Sequence, residues 1–181
     1  MKLCEKIHPK VLIYLDELKN WSNFFNLHSF DEKDLEKEVW EVSTYFVKEI
    51  KNTAPAYQIC DIGSGGGIPG IVIKILLPES EMLLIESNRK KAHFLKKTIH
   101  LLKLKKISVL NQDVRQVINA NSSFNFVTSR AFGLKFPEYA LKLLKKGGDA
   151  LYFVKKNNKK FKIEPAEVKK CPLGYILKWV K

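Results

Sequence analysis

The residues best suited to chemistry form one stretch, Asp61-Ile62-Gly63-Ser64-Gly65-Gly66-Gly67-Ile68-Pro69-Gly70. Glycines at 63, 65 and 67 permit positive φ and let a ligand come close to the main chain. The apolar run 57–62 enters as a buried strand would. The run 68–77 leaves as a helix would, and its N-terminus offers unpaired N–H groups to a ligand. A tight strand–helix turn can need glycine for steric reasons alone. Glu86 speaks for a ligand, because it ends the strand-like run 82–85 and lies 23 residues after Gly63. At that distance an acid meets the two ribose hydroxyls of an adenosine.

The spacing D-x-G-x-G-x-G differs from the G-x-G-x-x-G of dinucleotide sites, and no Walker lysine follows it. It resembles the first motif of S-adenosylmethionine-dependent methyltransferases, in which the glycine turn packs on the methionine and ribose of the cofactor. Asp113 follows the third strand-like run, where an acid can accept from the adenine amine while the next main-chain N–H reaches a ring nitrogen. It can equally cap a short helix that begins at Val114 and Arg115, and both roles are compatible.

Elements that could hold these residues alternate along the chain. Strands are predicted at 82–86, 107–110, 124–129 and 149–155, and helices at 88–103 and 135–145. Lys145-Lys146-Gly147-Gly148 reads as a turn, and 161–181 as two strands around Pro172-Leu173-Gly174. Alternation of this kind predicts an α/β, Rossmann-like fold, a mostly parallel sheet ending in an antiparallel hairpin. Ligands of such sheets bind beyond the C-terminal strand ends, which brings Glu86, the stretch 111–115 and Ser129-Arg130 towards the glycine turn. Upstream, Val11, Leu12, Leu15, Leu18, Trp21 and Phe25 form one amphipathic helix, and Leu35, Val39, Val42, Phe46 and Ile50 another. Ser29 or Asp31 caps the second, and Asn52-Thr53-Ala54-Pro55 ends it. The expected organisation is a helical cover, 1–55, packed on a core, 56–181.

The 181 residues carry 32 basic and 19 acidic side chains, a net charge of +13. The charge is segregated. Residues 1–60 hold 8 lysines and 10 acids, residues 87–106 hold 8 basic residues and no acid, and residues 140–181 hold 12 lysines and 3 acids. Lysine runs can be merely solvated, but a basic half beside a mildly acidic helical start predicts a nucleic-acid surface. No apolar run has the length of a membrane span and the charged start has no secretory pattern, so the expected location is the cytoplasm, with no membrane partner. Cys4, Cys60 and Cys171 are odd in number and far apart, and the four histidines do not cluster with acids. Neither a disulfide framework nor a metal site is expected.

A closer likeness rests on three segments: residues 63–70; Leu84-Ile85-Glu86-Ser87 with Lys90-Lys91 and Phe94-Leu95; and Thr128-Ser129-Arg130-Ala131-Phe132. Together with Trp21, Asn26-Leu27, Tyr152 and Lys155, they resemble the bacterial ribosomal RNA small subunit methyltransferase G family, also called glucose-inhibited division protein B. The resemblance implies a class I methyltransferase that transfers methyl from S-adenosyl-L-methionine to a guanine N7 in a conserved loop of 16S ribosomal RNA. The partner would be the 30S subunit or its precursor, and the protein a monomer. It places cofactor contacts on Gly63, Ser64, Gly65, Ile68, Glu86, Asp113, Val114, Arg115 and Arg130. RNA contacts would fall on Phe132, Lys155, Lys90, Lys91, Lys96, Lys97 and the terminal lysines, with Arg130 positioning the reaction through the cofactor carboxylate, an RNA phosphate or guanine O6. Phe132 is equally suited to stacking a base and to the core. Where the family carries Arg-His-x-x-Asp-Ser, this chain has Lys37-Glu38-Val39-Trp40-Glu41-Val42, and Lys156 replaces a usual glycine. Competing readings are a methyltransferase for another RNA, a protein or a small molecule, the last disfavoured by the basic surface; an RNA-binding assembly factor that retains the pocket; and a dinucleotide oxidoreductase.

Overall fold

A computed structural model describes residues 7–27, 31–51, 57–118, 123–130, 132–156 and 160–181. Helix α1 (Pro9–Ser22) starts where the His8 side chain accepts from the Lys10 N–H and Pro9 supplies a preset φ. A short 3₁₀ turn (Glu32–Asp34) leads into α2 (Leu35–Lys51). Then come β1 (Gln58–Ile62), α3 (Gly70–Leu76), β2 (Glu81–Ile85), α4 (Arg89–Leu101), β3 (Ile107–Leu110) and α5 (Val114–Val117). The chain ends with β4 (Phe124–Ser129), α6 (Phe136–Leu143), β5 (Leu144–Val154), β6 (Glu167–Cys171) and β7 (Gly174–Val180).

The seven strands form one sheet in the order β3-β2-β1-β4-β5-β7-β6. Strands β1 to β5 pair in parallel, and β7 runs antiparallel to both β5 and β6. The α/β prediction with its terminal hairpin is therefore met. Alternation along β1 sends Ile59 to one core, shared with Leu18 of α1, Phe46 of α2, Ile71 of α3 and Phe94 of α4. Cys60 and Ile62 point to the opposite core, shared with Val114 of α5 and Phe136 and Ala140 of α6. Sequence order reverses about β1, which has β2 on one side and β4 on the other. The crevice beyond their C-terminal ends is where this topology leaves room for a ligand.

Two local expectations are corrected. The first helix stops at Ser22, although its apolar period runs on to Phe25. The N–H groups of Phe24 and Phe25 turn back to the Trp21 carbonyl, and Phe25 packs edge-on to the Trp21 ring at 5.4 Å. Lys145-Lys146-Gly147-Gly148 is not a free turn but part of β5, which begins at Leu144 opposite Phe124 with a register shift. Gly147 N–H donates to the Lys181 carbonyl and Lys181 N–H to that of Gly148, so the C-terminus completes this irregular segment. Asp31 contributes its main-chain carbonyl, which accepts from the Asp34 N–H. Ser29 and residues 52–55 lie outside the described residues.

Candidate cofactor site

The glycine loop is held from both sides. Gly63 and Ser64 N–H groups donate to the Ile85 carbonyl at 2.9 and 3.1 Å, joining the loop to the tip of β2. Ser64 Oγ donates to the Asp61 carbonyl at 2.8 Å. Glu86 is buried, and each carboxylate oxygen accepts one main-chain N–H at 2.7 Å, Gly65 on Oε2 and Asn88 on Oε1. From the cover, Tyr14 Oη donates to the Gly66 carbonyl at 2.5 Å, so α1 closes the back of the loop.

In front of the loop lies a cleft of about 230 Å³. It is lined by five residues the sequence singled out: Gly63, Asp113, Val114, Arg115 and Phe132. Gly63 sits at φ +66°, and a Cβ there would lie 2.8 Å from Phe132 Cδ2, so that position admits no side chain. Phe132 is half-buried and meets the Tyr139 ring edge-on at 5.7 Å. Asp113 both lines the cleft and caps α5, its Oδ1 accepting from the Arg115 N–H at 2.9 Å. The Arg115 guanidinium closes on the same carboxylate and holds its pKa down, to about 2. Ile85, Ser87 and Gln112 complete one wall, and Lys135 and Tyr139 of the α6 end complete the other.

Other predicted residues stand apart from this lining. Ser64, Gly65 and Glu86 shape the loop by the bonds above, and Ile68 is buried in the core. Arg130 is not among the residues that line this cleft. It packs over the Phe153 ring at 4.9 Å, and its Nη1 donates to the Glu38 carbonyl at 2.7 Å while Nη2 pairs with the Glu38 carboxylate. The other Glu38 oxygen takes Lys155 Nζ at 2.7 Å. The Arg130 and Glu38 side chains are each 8% exposed, Lys155 61%. Burial by itself would raise the Glu38 pKa, but hydrogen bonds from Lys155 and Arg130 outweigh it and leave the carboxyl below the usual range. Lys90 and Lys91 begin α4, their N–H groups capped by Asn88 Oδ1 at 2.9 and 3.2 Å.

Glu38 lies in the segment that departs from the family pattern, and its partnership with Arg130 spans 92 residues. Tyr14, Lys135 and Tyr139 were also missed. Only the pair Lys135 and Tyr139 had a local signal, four residues apart at the start of a helix.

Beneath the loop, Asp61 is buried on β1 beside Thr128 of β4, whose Oγ1 donates to Asp61 Oδ1 at 2.8 Å. Burial pushes the Asp61 carboxyl up from 3.8 to about 7, more than the Thr128 hydrogen bond offsets. A folded-state pKa above the unfolded value means that the folded protein binds this proton more tightly. The Asp61 contribution to stability is full below pH 3.8 and is lost as pH rises to about 7. The swing is roughly 4 kcal/mol at ~1.4 kcal/mol per pKa unit. Asp61→Asn is expected to flatten the stability profile across that window, measured by urea unfolding at a series of pH values. An unchanged profile would acquit this carboxyl.

The fold and the cleft together define a Rossmann-like methyltransferase of the S-adenosylmethionine-dependent class. A family model described as rRNA small subunit methyltransferase G matches residues 7–173, and the chain belongs to that family. Ribosomal RNA small subunit methyltransferase G of Desulfitobacterium hafniense (strain Y51) is 36% identical over 95% of this chain and 72% of its own length. The Chloroflexus aggregans protein of the same name is 34% identical over 82% of this chain and 64% of its own. A candidate methylase of Haemophilus influenzae, 16% identical, shares the fold with a TM-score of 0.60 over 76% of this chain and 94% of its own. The chain spans 62 to 72% of the length of the curated relatives it matches.

Proposed function

We propose that this chain transfers the methyl group of S-adenosylmethionine to N7 of a guanine in a conserved loop of 16S ribosomal RNA. The observation that carries the reading is the cleft at the sheet's switch point, walled by Gly63, Asp113, Val114 and Phe132 and backed by Glu86. Membership of the family supports the substrate class.

S-adenosylmethionine supplies an electrophilic methyl on a sulfonium. Guanine N7 carries a lone pair and no proton, so the protein has to align the two and exclude water, without a general base. Gly63, Ser64, Gly65 and Ile68 shape the cofactor's seat. Each Glu86 oxygen already accepts one N–H and retains lone-pair capacity for a ribose hydroxyl. Asp113, Val114 and Arg115 face the adenine end. Phe132, fixed by Tyr139, is the surface on which the target base stacks. Arg130 positions the segment that carries Phe132, and Lys90, Lys91 and Lys155 meet RNA phosphate. No described helix is long and apolar enough to cross a membrane. In this reading the protein works in the cytoplasm as a monomer, on the 30S subunit or its precursor, with residues 1–55 as cover and 56–181 as catalytic core.

The test is transfer of labelled methyl from S-adenosylmethionine to 30S subunits lacking the modification, with the labelled base mapped. The expected product is 7-methylguanine in one loop of 16S rRNA. Cofactor binding with no label in ribosomal RNA would overturn the reading.

A further inference from the structure

Helix α4 buries Ala92, Phe94, Leu95 and Thr98. Its outward face carries Arg89, His93, Lys96, Lys97, His100 and, just past its end, Lys103, all exposed. Their spacing of i, i+4, i+7, i+8, i+11 and i+14 is one continuous stripe. No acid occurs between residues 87 and 106 to relieve it. Like charges three or four apart weaken a helix by a few tenths of a kcal/mol per pair. A polyanion lying along such a stripe would relieve that repulsion.

The stripe has two defined ends. One is the α4 N-terminus, next to Ser87 in the cofactor cleft wall. The other is a second cleft of about 340 Å³ at the opposite pole of the sheet, where Lys10, Lys103, Lys105 and Lys106 face a single acid, Glu79. Lys74 also lines that cleft, but its ammonium is committed to the carbonyls of Pro78 and Ser80. Lys103 and Lys106 adopt φ of 50° and 54°, a region where a non-glycine residue costs roughly 1 kcal/mol. Lys106 Nζ pairs with the cleft's acid, Glu79, at 3.0 Å, so the positive charge at that end falls to Lys10, Lys103 and Lys105.

We propose that the solvent face of α4 and the polar cleft beyond it form a track for the backbone of an RNA helix. The track runs from the base in the cofactor cleft to a phosphate seated among Lys10, Lys103 and Lys105. The inference rests on the RNA-methylating reading and extends it to a surface outside the cofactor site. The apolar face of α4 is spent in the core, so the helix has none to insert into a membrane. About 20 Å of helix at ~1.5 Å per residue follows several successive phosphates.

The variant Lys103→Glu/Lys105→Glu tests the far end, against Lys160→Glu/Lys162→Glu, which makes the same charge change on exposed residues elsewhere. Binding to 16S rRNA and methyl transfer to 30S subunits are measured separately over a range of salt. The stripe variant is expected to bind RNA at least about 10-fold more weakly and to show a shallower salt slope. Its KM for RNA should rise with kcat unchanged, and its affinity for S-adenosylmethionine should equal that of the control. Equal RNA affinity in the two variants overturns the track. So does a stripe variant that keeps RNA but loses polyglutamate, which would assign the face to an acidic protein. If the parent binds rRNA without methylating it, the functional reading falls, and the binding ratio still decides the track.

Discussion

Arg130→Ala is expected to reduce methyl transfer by about 100-fold or more and to lower stability by roughly 3 kcal/mol. The stability loss follows from burial. Arg130 and Glu38 are both almost fully covered, and removing the guanidinium leaves the carboxylate with Lys155 alone. The loss of transfer follows from position. Arg130 is the first residue after β4 and Lys155 the first after β5, so Glu38 ties α2 to the ends of two adjacent strands. Phe132, which closes the cleft over Gly63, lies two residues beyond that tie. Freeing Arg130 therefore loosens the wall against which a base would be aligned. Glu38→Gln keeps the carbonyl and side-chain contacts in weaker form, and is expected to retain transfer within about 10-fold of the parent. The double variant separates the roles, because two coupled residues give non-additive losses. Strict additivity in unfolding experiments, or near-normal transfer by Arg130→Ala, would remove Arg130 as a positioning residue.

Gly67→Ala is the second large effect. At φ +91° an alanine is strained, and its Cβ would stand 2.5 Å from Ile71 Cγ1 and 3.0 Å from Leu95 Cδ2. Backbone strain of ~1–2 kcal/mol and overpacking of ~1–3 kcal/mol give a loss of about 3 kcal/mol. For a chain of this size that is about 10 °C in Tm. The same Cβ would press on the Tyr14 hydroxyl at 3.1 Å, the group that holds the Gly66 carbonyl, so cofactor affinity should fall with stability. Gly133→Ala is the matched control: φ is +105°, yet nothing lies within 4 Å, so only the strain remains. Calorimetry of both variants, with a cofactor titration, checks the pair. Equal Tm shifts would mean that crowding around Gly67 carries no weight.

Local pattern made much of this protein legible. The strand, glycine turn, helix and trailing acid all fall between residues 57 and 86, and each leaves a signal of its own in the composition of its neighbours. Periodicity likewise reported β1 to β4 and the presence of α4. It misread the entry to β5, because Lys145-Lys146-Gly147-Gly148 has the composition of a turn. That segment is extended because Leu144 pairs with Phe124 and Gly147 with Lys181, partners no local window contains. The N-terminal helix ended early for a different, local reason, with Phe25 drawn onto the Trp21 ring four residues back.

The sequence by itself determined that a nucleotide-type turn opens a parallel sheet, that Glu86 and Asp113 stand at strand ends, and that charge is divided between the two parts of the chain. These are consequences of spacing, and spacing survives without a fold. Only the tertiary structure decided that Arg130 turns to Glu38, that Tyr14 backs the glycine loop, and that Asp61 is buried with a pKa near neutrality. Each of these is a contact between residues 52 to 92 positions apart, or a burial produced by such contacts. Pairing at that range depends on which faces the sheet and its cover bury together, and a one-dimensional pattern does not encode it.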